Sequence, residues 1–446
     1  MLFLKQRFSI IGIARSGLAA AEKIKKAGGY VFLSDSKKKE SIPESASLET
    51  LYDCEFGGNT EKVLDTDYII LSPGVPQSIP IVRKAMDRGL PVMSEIEFAY
   101  QIMNKKSKVI AVTGSNGKST TVSLIYHLLK TAGYKTLLAG NIGDAFSSFD
   151  IENEYDWIVL ELSSFQLELI KDFMPDIAVL TNISPDHLNR YNSYDDYILA
   201  KFNIFKNQTK KQKAILFADD IMIKKYRHLI KAKIEEFSLI NCTDAYYKKE
   251  ENILCVKGKE IFLTDTQLKG PHNYCNIMSA LLAVDEVKID DNTLTRGLKT
   301  FHALEHRLEH VDTIKGISFI NDSKATNTDS VRNALLSFDK PIHIILGGSE
   351  KGEDYSVLID LLKNHAQKTY LIGETKEKMI NSFQNKIVYE SFADLETAMR
   401  KAFAESTKGD YIVLSPACAS FDMFQNFEHR GQVFKEIVKK LKDENS

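Results

Sequence analysis

The sequence predicts an α/β protein of three domains, each organised on a mostly parallel sheet. Short apolar runs that end in Gly, Asp or Ser alternate with amphipathic stretches along the whole chain: FSIIGI, YVFLSD, YIILSPG, KVIAVTG, WIVLEL, IAVLTN, AILFAD, IHIILGG, KTYLIG and YIVLSPA. Strands that are apolar on both faces and separated by helical segments form parallel sheets with helices on either side. The length of 446 residues exceeds what one hydrophobic core serves, since roughly 150 residues make a domain. Two polar seams, QIMNKKS near residue 100 and the stretch before EHRLEHVDTIKG near 303, place the domains at 1–98, 99–303 and 304–446.

Composition narrows the partners. Apolar residues make up 43% of the chain and charged residues 26%, as in ordinary globular proteins. Lys plus Arg number 58 against 60 Asp plus Glu, a net charge of −2 that gives no electrostatic case for nucleic acid or an anionic membrane. Cys54, Cys242, Cys255, Cys275 and Cys418 are scattered without a CxxC pair, so neither a zinc site nor a disulfide framework is expected. The start MLFLKQRFSIIGIARSG has no signal-peptide cleavage pattern, and no apolar run reaches bilayer length. A cytoplasmic monomer acting on small molecules is the expectation, without membrane insertion.

In the first segment, FSIIGIARSGLAAAEKIKKAGGYVFLSDSKK reads as strand, glycine turn, helix and second strand, with Asp35 at that strand's end. Alone this points to a dinucleotide-binding unit and hence to an oxidoreductase, but Ala14 replaces the middle glycine of GxGxxG.

In the second segment, VTGSNGKST lies between the strand KVIAV and the helical TTVSLIYHLLKTAG. The usual phosphate loop has a glycine five residues before Gly117, where this chain has Val112. The physical requirement is nonetheless met. Gly114 and Gly117 allow a tight turn, and the backbone N–H groups of Gly114, Ser115, Asn116, Gly117, Lys118, Ser119 and Thr120 can converge on an anion at a helix N-terminus. Lys118 can reach terminal phosphates, and Ser119 or Thr120 can hold Mg²⁺. An ordinary glycine turn explains the Lys-Ser-Thr at the helix start less well.

WIVLEL delivers Glu161 near a strand end, where a carboxylate can face that metal; a helix cap or surface acid is the alternative. His187 follows the next strand, and a lone histidine there is more often structural. Lys201 falls on the apolar face marked by Tyr194, Tyr197, Ile198, Ile204 and Phe205. It must snorkel, find a partner or become neutral, and the pattern alone favours snorkelling. A neutral amine could also take up CO₂ as a carbamate.

Taken together, TGSNGKST, GNIG at 140–143, ELSSFQLE at 161–168, NISPDHLNRY at 182–191, AKFNIF around Lys201, PHNYCN at 271–276, EHRLE at 305–309 and NDSKATN at 321–327 resemble the Mur ligase family over essentially the whole chain. The resemblance implies an N-terminal Rossmann-like domain, a central phosphate-loop ATPase domain and a C-terminal Rossmann-like domain. It implies that Lys118, Glu161, His187 and Lys201 are catalytic. Of two Mg²⁺ ions, one would sit on Ser119 and Glu161, the other on His187 and a carbamylated Lys201. ATP would contact Asn273, Asn276, Arg307, Asp322 and Lys324 besides the loop. A UDP-sugar would contact Arg15, Ser16, Asp35, Ser36, Gly74, Asn141 and His187, although Arg15 stands where the family carries varied residues.

NDSKATN, GGSEKGED and LSPACASFDMFQNFEHRG further resemble the Mur ligases that add D-glutamate to UDP-N-acetylmuramoyl-L-alanine, and no DNPR signature is present. That resemblance implies one amino-acid carboxylate on Thr326 and Lys351 and the other on Ser420 and Phe427. Another Mur ligase or a folylpolyglutamate-synthetase-like ligase is the nearest rival. A regulatory phosphate-loop ATPase would explain the loop alone and would release phosphate without an amine.

Overall fold

A computed structural model describes residues 4–42, 44–186, 190–302 and 304–445. The fold is mixed α/β with three sheets, most of whose strands run parallel. The chain forms two compact units. The first comprises Met1–Ile183, Arg190–Phe262 and Cys275–Lys299; the second takes the remaining residues. Among the described residues, no helix is long and apolar enough to cross a membrane.

The first sheet contains β1 (Arg7–Ile11), β2 (Tyr30–Asp35), β3 (Asp53–Phe56), β4 (Tyr68–Leu71) and β5 (Val92–Ser94), in the order β3-β2-β1-β4-β5 and parallel throughout. The order reverses between β1 and β4. That reversal opens a crevice at their C-terminal ends, where doubly wound sheets bind ligands.

The second sheet contains β6 (Lys108–Thr113), β7 (Thr136–Gly140), β8 (Trp157–Glu161), β9 (Ile177–Leu180), β10 (Lys213–Phe217), β11 (Lys233–Ser238), β12 (Ala245–Lys248), β13 (Ile253–Val256) and β14 (Lys259–Phe262). Its order, β14-β13-β12-β11-β10-β9-β6-β8-β7, puts β6 between β8 and β9. Val109, Ala111, Ile158, Leu160, Ala178 and Leu180 from these central strands are buried in one core cluster. Burying each larger one contributes about 1.5–3 kcal/mol. β13 and β14 depart from the parallel pattern because Lys257 and Gly258 both take positive φ, 49° and 82°, the two-residue turn that closes an antiparallel hairpin.

The third sheet lies in the second unit and contains β15 (Glu309–Ile314), β16 (Ile317–Asn321), β17 (Ile342–Gly347), β18 (Ala366–Ile372), β19 (Tyr389–Ser391) and β20 (Tyr411–Leu414), ordered β15-β16-β20-β17-β18-β19. β15 joins β16 antiparallel through a second Lys-Gly turn, Lys315 at φ 51° and Gly316 at 80°. β16, β17 and β20 end side by side, and the loops NDSKATN, GGSEKGED and LSPACAS leave from those ends.

Candidate active site

The phosphate loop connects β6 to the helix Lys118–Thr131. Gly114 has φ +148° and Gly117 has φ +85°, both outside the range favoured by L residues. A Cβ on Gly114 would lie 2.0 Å from Thr181 Oγ1, and one on Gly117 2.3 Å from Asn276 Oδ1. The glycines therefore serve a close approach of neighbouring elements as well as a turn. The end of β9 pins the loop: Thr181 Oγ1 and Asn182 Nδ2 donate to the Asn116 carbonyl at 2.6 and 3.0 Å, and Asn116 N–H donates to Asn182 Oδ1 at 2.9 Å. Ser115 N–H donates to the Asn182 carbonyl. Thr181 was not singled out in the sequence, and Asn182 only as the first residue of NISPDHLNRY, because a contact between strand ends leaves no local spacing.

Lys118 folds back so that Nζ donates to the carbonyls of Gly114 and Ser115, at 2.9 and 2.8 Å. Ser119 and Thr120 are buried in the first helical turn. Glu161, at the end of β8 and in register with Val112 of β6, is 2% exposed, and its Oε1 accepts from Asn141 Nδ2 at 2.8 Å. Asn141 in the GNIG loop, expected at the sugar nucleotide, thus meets Glu161, expected at the metal.

The snorkelling arrangement favoured by the pattern does not occur at Lys201. On the helix Tyr194–Phe202 it is 2% exposed, and its ammonium stays inside by donating to the Gly114 carbonyl at 2.7 Å. It also lies 4.6 Å from the centre of the Tyr197 ring, and the Tyr197 hydroxyl meets Ser115 Oγ at 2.9 Å. Two lysines far apart in sequence converge on one carbonyl of the loop. Asn276, on the helix Pro271–Val284, accepts from Thr121 Oγ1 at 3.3 Å. His187 lies outside the described residues.

Ser119 and Glu161 offer hydroxyl and carboxylate oxygens, the donor chemistry a hard divalent cation takes, and Mg²⁺ is commonly completed by phosphates and water. The residues present fit such an ion.

At the β1/β4 crevice, Gly12 has φ +94°, and a Cβ there would meet Ser72 Cβ and Val75 Cγ2 at 2.8 Å. A Cβ on Gly17 would strike the Gly12 carbonyl at 2.3 Å. Ala14 is extended, with φ −121°, and caps the helix Arg15–Lys26, so this position needs no glycine. Asp35 is engaged by backbone: its Oδ2 accepts from Ile13 N–H at 2.7 Å and its Oδ1 from Lys37 N–H at 2.8 Å. Arg15 Nη1 donates to the Gly143 carbonyl at 2.9 Å. Ser16 lies in the first helical turn, and Ser36 and Gly74 are exposed at the crevice loops.

In the second unit, Asp322 directly follows β16 and is 8% exposed; Ser415 Oγ donates to it at 2.8 Å and Leu308 N–H at 3.2 Å. Burial pushes its carboxyl up to about 7, against the pull of Arg307 and Arg430. Burial and the same Arg307 guanidinium hold His272 down to about 4, so it is neutral at pH 7. Asn273 caps the turn before it by donating to the Lys269 carbonyl. Lys324 Nζ lies 4.1 Å from the centre of the Phe427 ring. Thr326 is half-buried, Lys351 exposed, and Ser420 buried.

Arg430 binds these loops together and was missed in the sequence. Fully buried, it donates from Nε to Ser323 Oγ at 3.0 Å and from its two terminal nitrogens to the carbonyls of Ser323, Cys418 and Ala419 at 2.7–3.1 Å. Burial lowers its pKa only to about 10, so it remains charged. The available signal was its place inside the stretch LSPACASFDMFQNFEHRG. Glu353 makes a second tie, accepting from Thr328 N–H and Oγ1 at 3.1 and 2.8 Å.

The Mur ligase MurD-like N-terminal domain matches residues 6–94, the Mur ligase middle domain 112–284, and the Mur ligase glutamate ligase domain 306–418. The chain belongs to the Mur ligase family. A UDP-N-acetylmuramoylalanine–D-glutamate ligase of Koribacter versatilis is 40% identical, over 98% of each chain. Its counterpart in Cytophaga hutchinsonii is 38% identical, over 98% of this chain and 100% of that one. Among solved structures, the UDP-N-acetylmuramate–alanine ligase of Thermotoga maritima superposes with a TM-score of 0.63 at 19% identity, over 98% of this chain and 100% of that one. The MurF ligase of the same organism, in complex with ADP, gives 0.63 at 16%, over 98% and 96%. These two likenesses speak for the fold.

Proposed function

We propose that the chain is an ATP-dependent amide ligase that joins D-glutamate to UDP-N-acetylmuramoyl-L-alanine in peptidoglycan precursor synthesis. The observation that carries the reaction class is the convergence of Lys118 and the buried Lys201 on the phosphate loop, with Glu161 at the end of the adjacent strand. The substrate reading is supported by 38–40% identity, over nearly the full length, to relatives that bear the name of that ligase.

In this reading the alanyl carboxylate attacks the γ-phosphorus of ATP, the bond to the bridging oxygen breaks, and ADP leaves an acyl phosphate behind. The amine of D-glutamate then attacks the acyl carbon. Phosphate departs from the tetrahedral intermediate, and the amine gives up a proton. Carboxylate and triphosphate repel each other, so the site must supply positive charge: Lys118 and the N-terminus of the helix Lys118–Thr131 do so. Mg²⁺, when bound, adds charge neutralisation and orients the phosphoryl oxygens; Ser119 and Glu161 would hold one ion, His187 and Lys201 a second. As a carbamate, Lys201 would become an anionic oxygen ligand while its nitrogen keeps one N–H, enough to retain the bond to Gly114.

Arg15, Ser16, Asp35, Ser36, Gly74, Asn141 and His187 form the sugar-nucleotide site in this account. Asn273, Asn276, Arg307, Asp322 and Lys324 complete the ATP site, and Thr326, Lys351, Ser420 and Phe427 receive the amino acid. The segments 1–98, 99–303 and 304–446 then each carry one substrate wall, in a monomeric cytoplasmic enzyme. A panel of amino acids, assayed for phosphate release with ATP, Mg²⁺ and the sugar nucleotide fixed, tests the reading. D-glutamate alone should support turnover; release that ignores the amino acid would sink it.

A further inference from the structure

Three side chains outside the assigned sites form a tie across the first unit. Arg190 Nη2 donates to the Val75 carbonyl at 3.3 Å and approaches Glu168 Oε2 at 3.4 Å, while Gln77 Nε2 donates to the same Glu168 oxygen at 3.0 Å. The side chains of Arg190 and Glu168 are only 14% and 15% exposed, and the guanidinium lies 4.4 Å from the centre of the Phe165 ring. A shielded, ring-backed pair is screened far less than a surface pair, and its planar fork is directional.

The segment that this tie grips is the loop after β4, SPGVPQ, which contains Gly74. On its other side the loop lies against the glycine turn after β1: Ser72 Oγ donates to the Gly12 carbonyl at 2.6 Å, and Val75 comes so close that no Cβ fits on Gly12. Gln77 and the Val75 carbonyl lie in the loop that leaves the C-terminal end of β4. Glu168 belongs to ELSSFQLE, the stretch that begins with Glu161, and Arg190 follows in NISPDHLNRY.

We propose that Gln77, Glu168 and Arg190 are positioning residues for the sugar nucleotide. They set the SPGVPQ loop, and through it the Gly12 turn, at a fixed distance from the strand end that carries Glu161. The inference rests on the sugar-nucleotide reading of the β1/β4 crevice. A hydrogen-bonded clamp on a binding loop acts on the affinity of the ligand that the loop cradles and leaves the phosphate loop, held by Thr181 and Asn182, unaffected.

Calorimetric titration of the full chain with UDP-N-acetylmuramoyl-L-alanine and, separately, with ATP and Mg²⁺ tests it. Glu168→Gln and Gln77→Ala should each weaken the sugar nucleotide by about tenfold, the effect of one charge-assisted hydrogen bond. ATP affinity should stay within about twofold in both variants. Gln77→Ala should add nothing in a Glu168→Ala background, which removes the oxygen through which both act. Unchanged sugar-nucleotide affinity would overturn the proposal, and so would a parallel loss of both ligands with a lowered midpoint, which marks a general packing defect. Gln77→Ala removes one partly exposed side chain, so it keeps the test decisive if Glu168→Gln folds poorly. A wild-type chain that binds ATP and no sugar nucleotide would instead overturn the substrate reading, and this inference with it.

Discussion

Lys201 shows how a residue can be legible in place and illegible in role. Its position on the apolar face of a helix was visible as a periodicity, and the face is indeed buried. The pattern favoured snorkelling because a sequence does not show which carbonyl waits inside; Gly114, 87 positions away, supplies it. A carbamate on this nitrogen has a direct signature. With ¹³C-labelled bicarbonate, the wild-type chain should show a carbamate carbon resonance that vanishes in Lys201→Ala together with ligase turnover; a spectrum identical for both chains would remove the carbamate from the mechanism. Asp322 gives a second prediction at this scale. Its folded pKa, about 7 through burial, lies above the ~3.9 of an unfolded aspartate, so the folded state holds an extra proton between these values. This group's contribution to stability is fully present below about pH 4 and is lost as the pH rises to about 7. The thermal midpoint of wild type should therefore fall more steeply between pH 5 and 7.5 than that of Asp322→Asn, and equal slopes would contradict the assignment.

At the scale of elements, the strand, turn and helix units were readable because the central strands of the parallel sheets are buried apolar runs ended by a glycine or a polar turn. The short edge strands DCEF and VMS carried too few apolar residues to announce themselves, and the hairpin arms β12 to β14 broke the parallel rule. The Lys-Gly dipeptides at 257–258 and 315–316 were the turn signals for the antiparallel pairs. The shortened phosphate loop works because its two glycines are load points for contacts with Thr181 and Asn276 as well as bends. Gly114→Ala should accordingly cost roughly 2 kcal/mol or more, from a strained backbone and a Cβ forced into a hydroxyl. It should also weaken ATP binding. Chemical denaturation and nucleotide titration would check both, and wild-type values in each would refute the steric account.

For the whole molecule, the family motifs were long enough to be read in order along the sequence, while the knots that hold them were not. Arg430, Glu353 and the Gln77–Glu168–Arg190 tie act between segments remote in sequence, where only the fold brings partners together. In the proposed reaction the γ-phosphoryl group passes to a substrate carboxylate before the amine attacks. The most direct test labels the alanyl carboxylate of the sugar nucleotide with ¹⁸O and follows the label by mass spectrometry during turnover with ATP, Mg²⁺ and D-glutamate. Each phosphate released should carry one labelled oxygen, in step with the new amide. Amide formed with unlabelled phosphate would contradict that transfer.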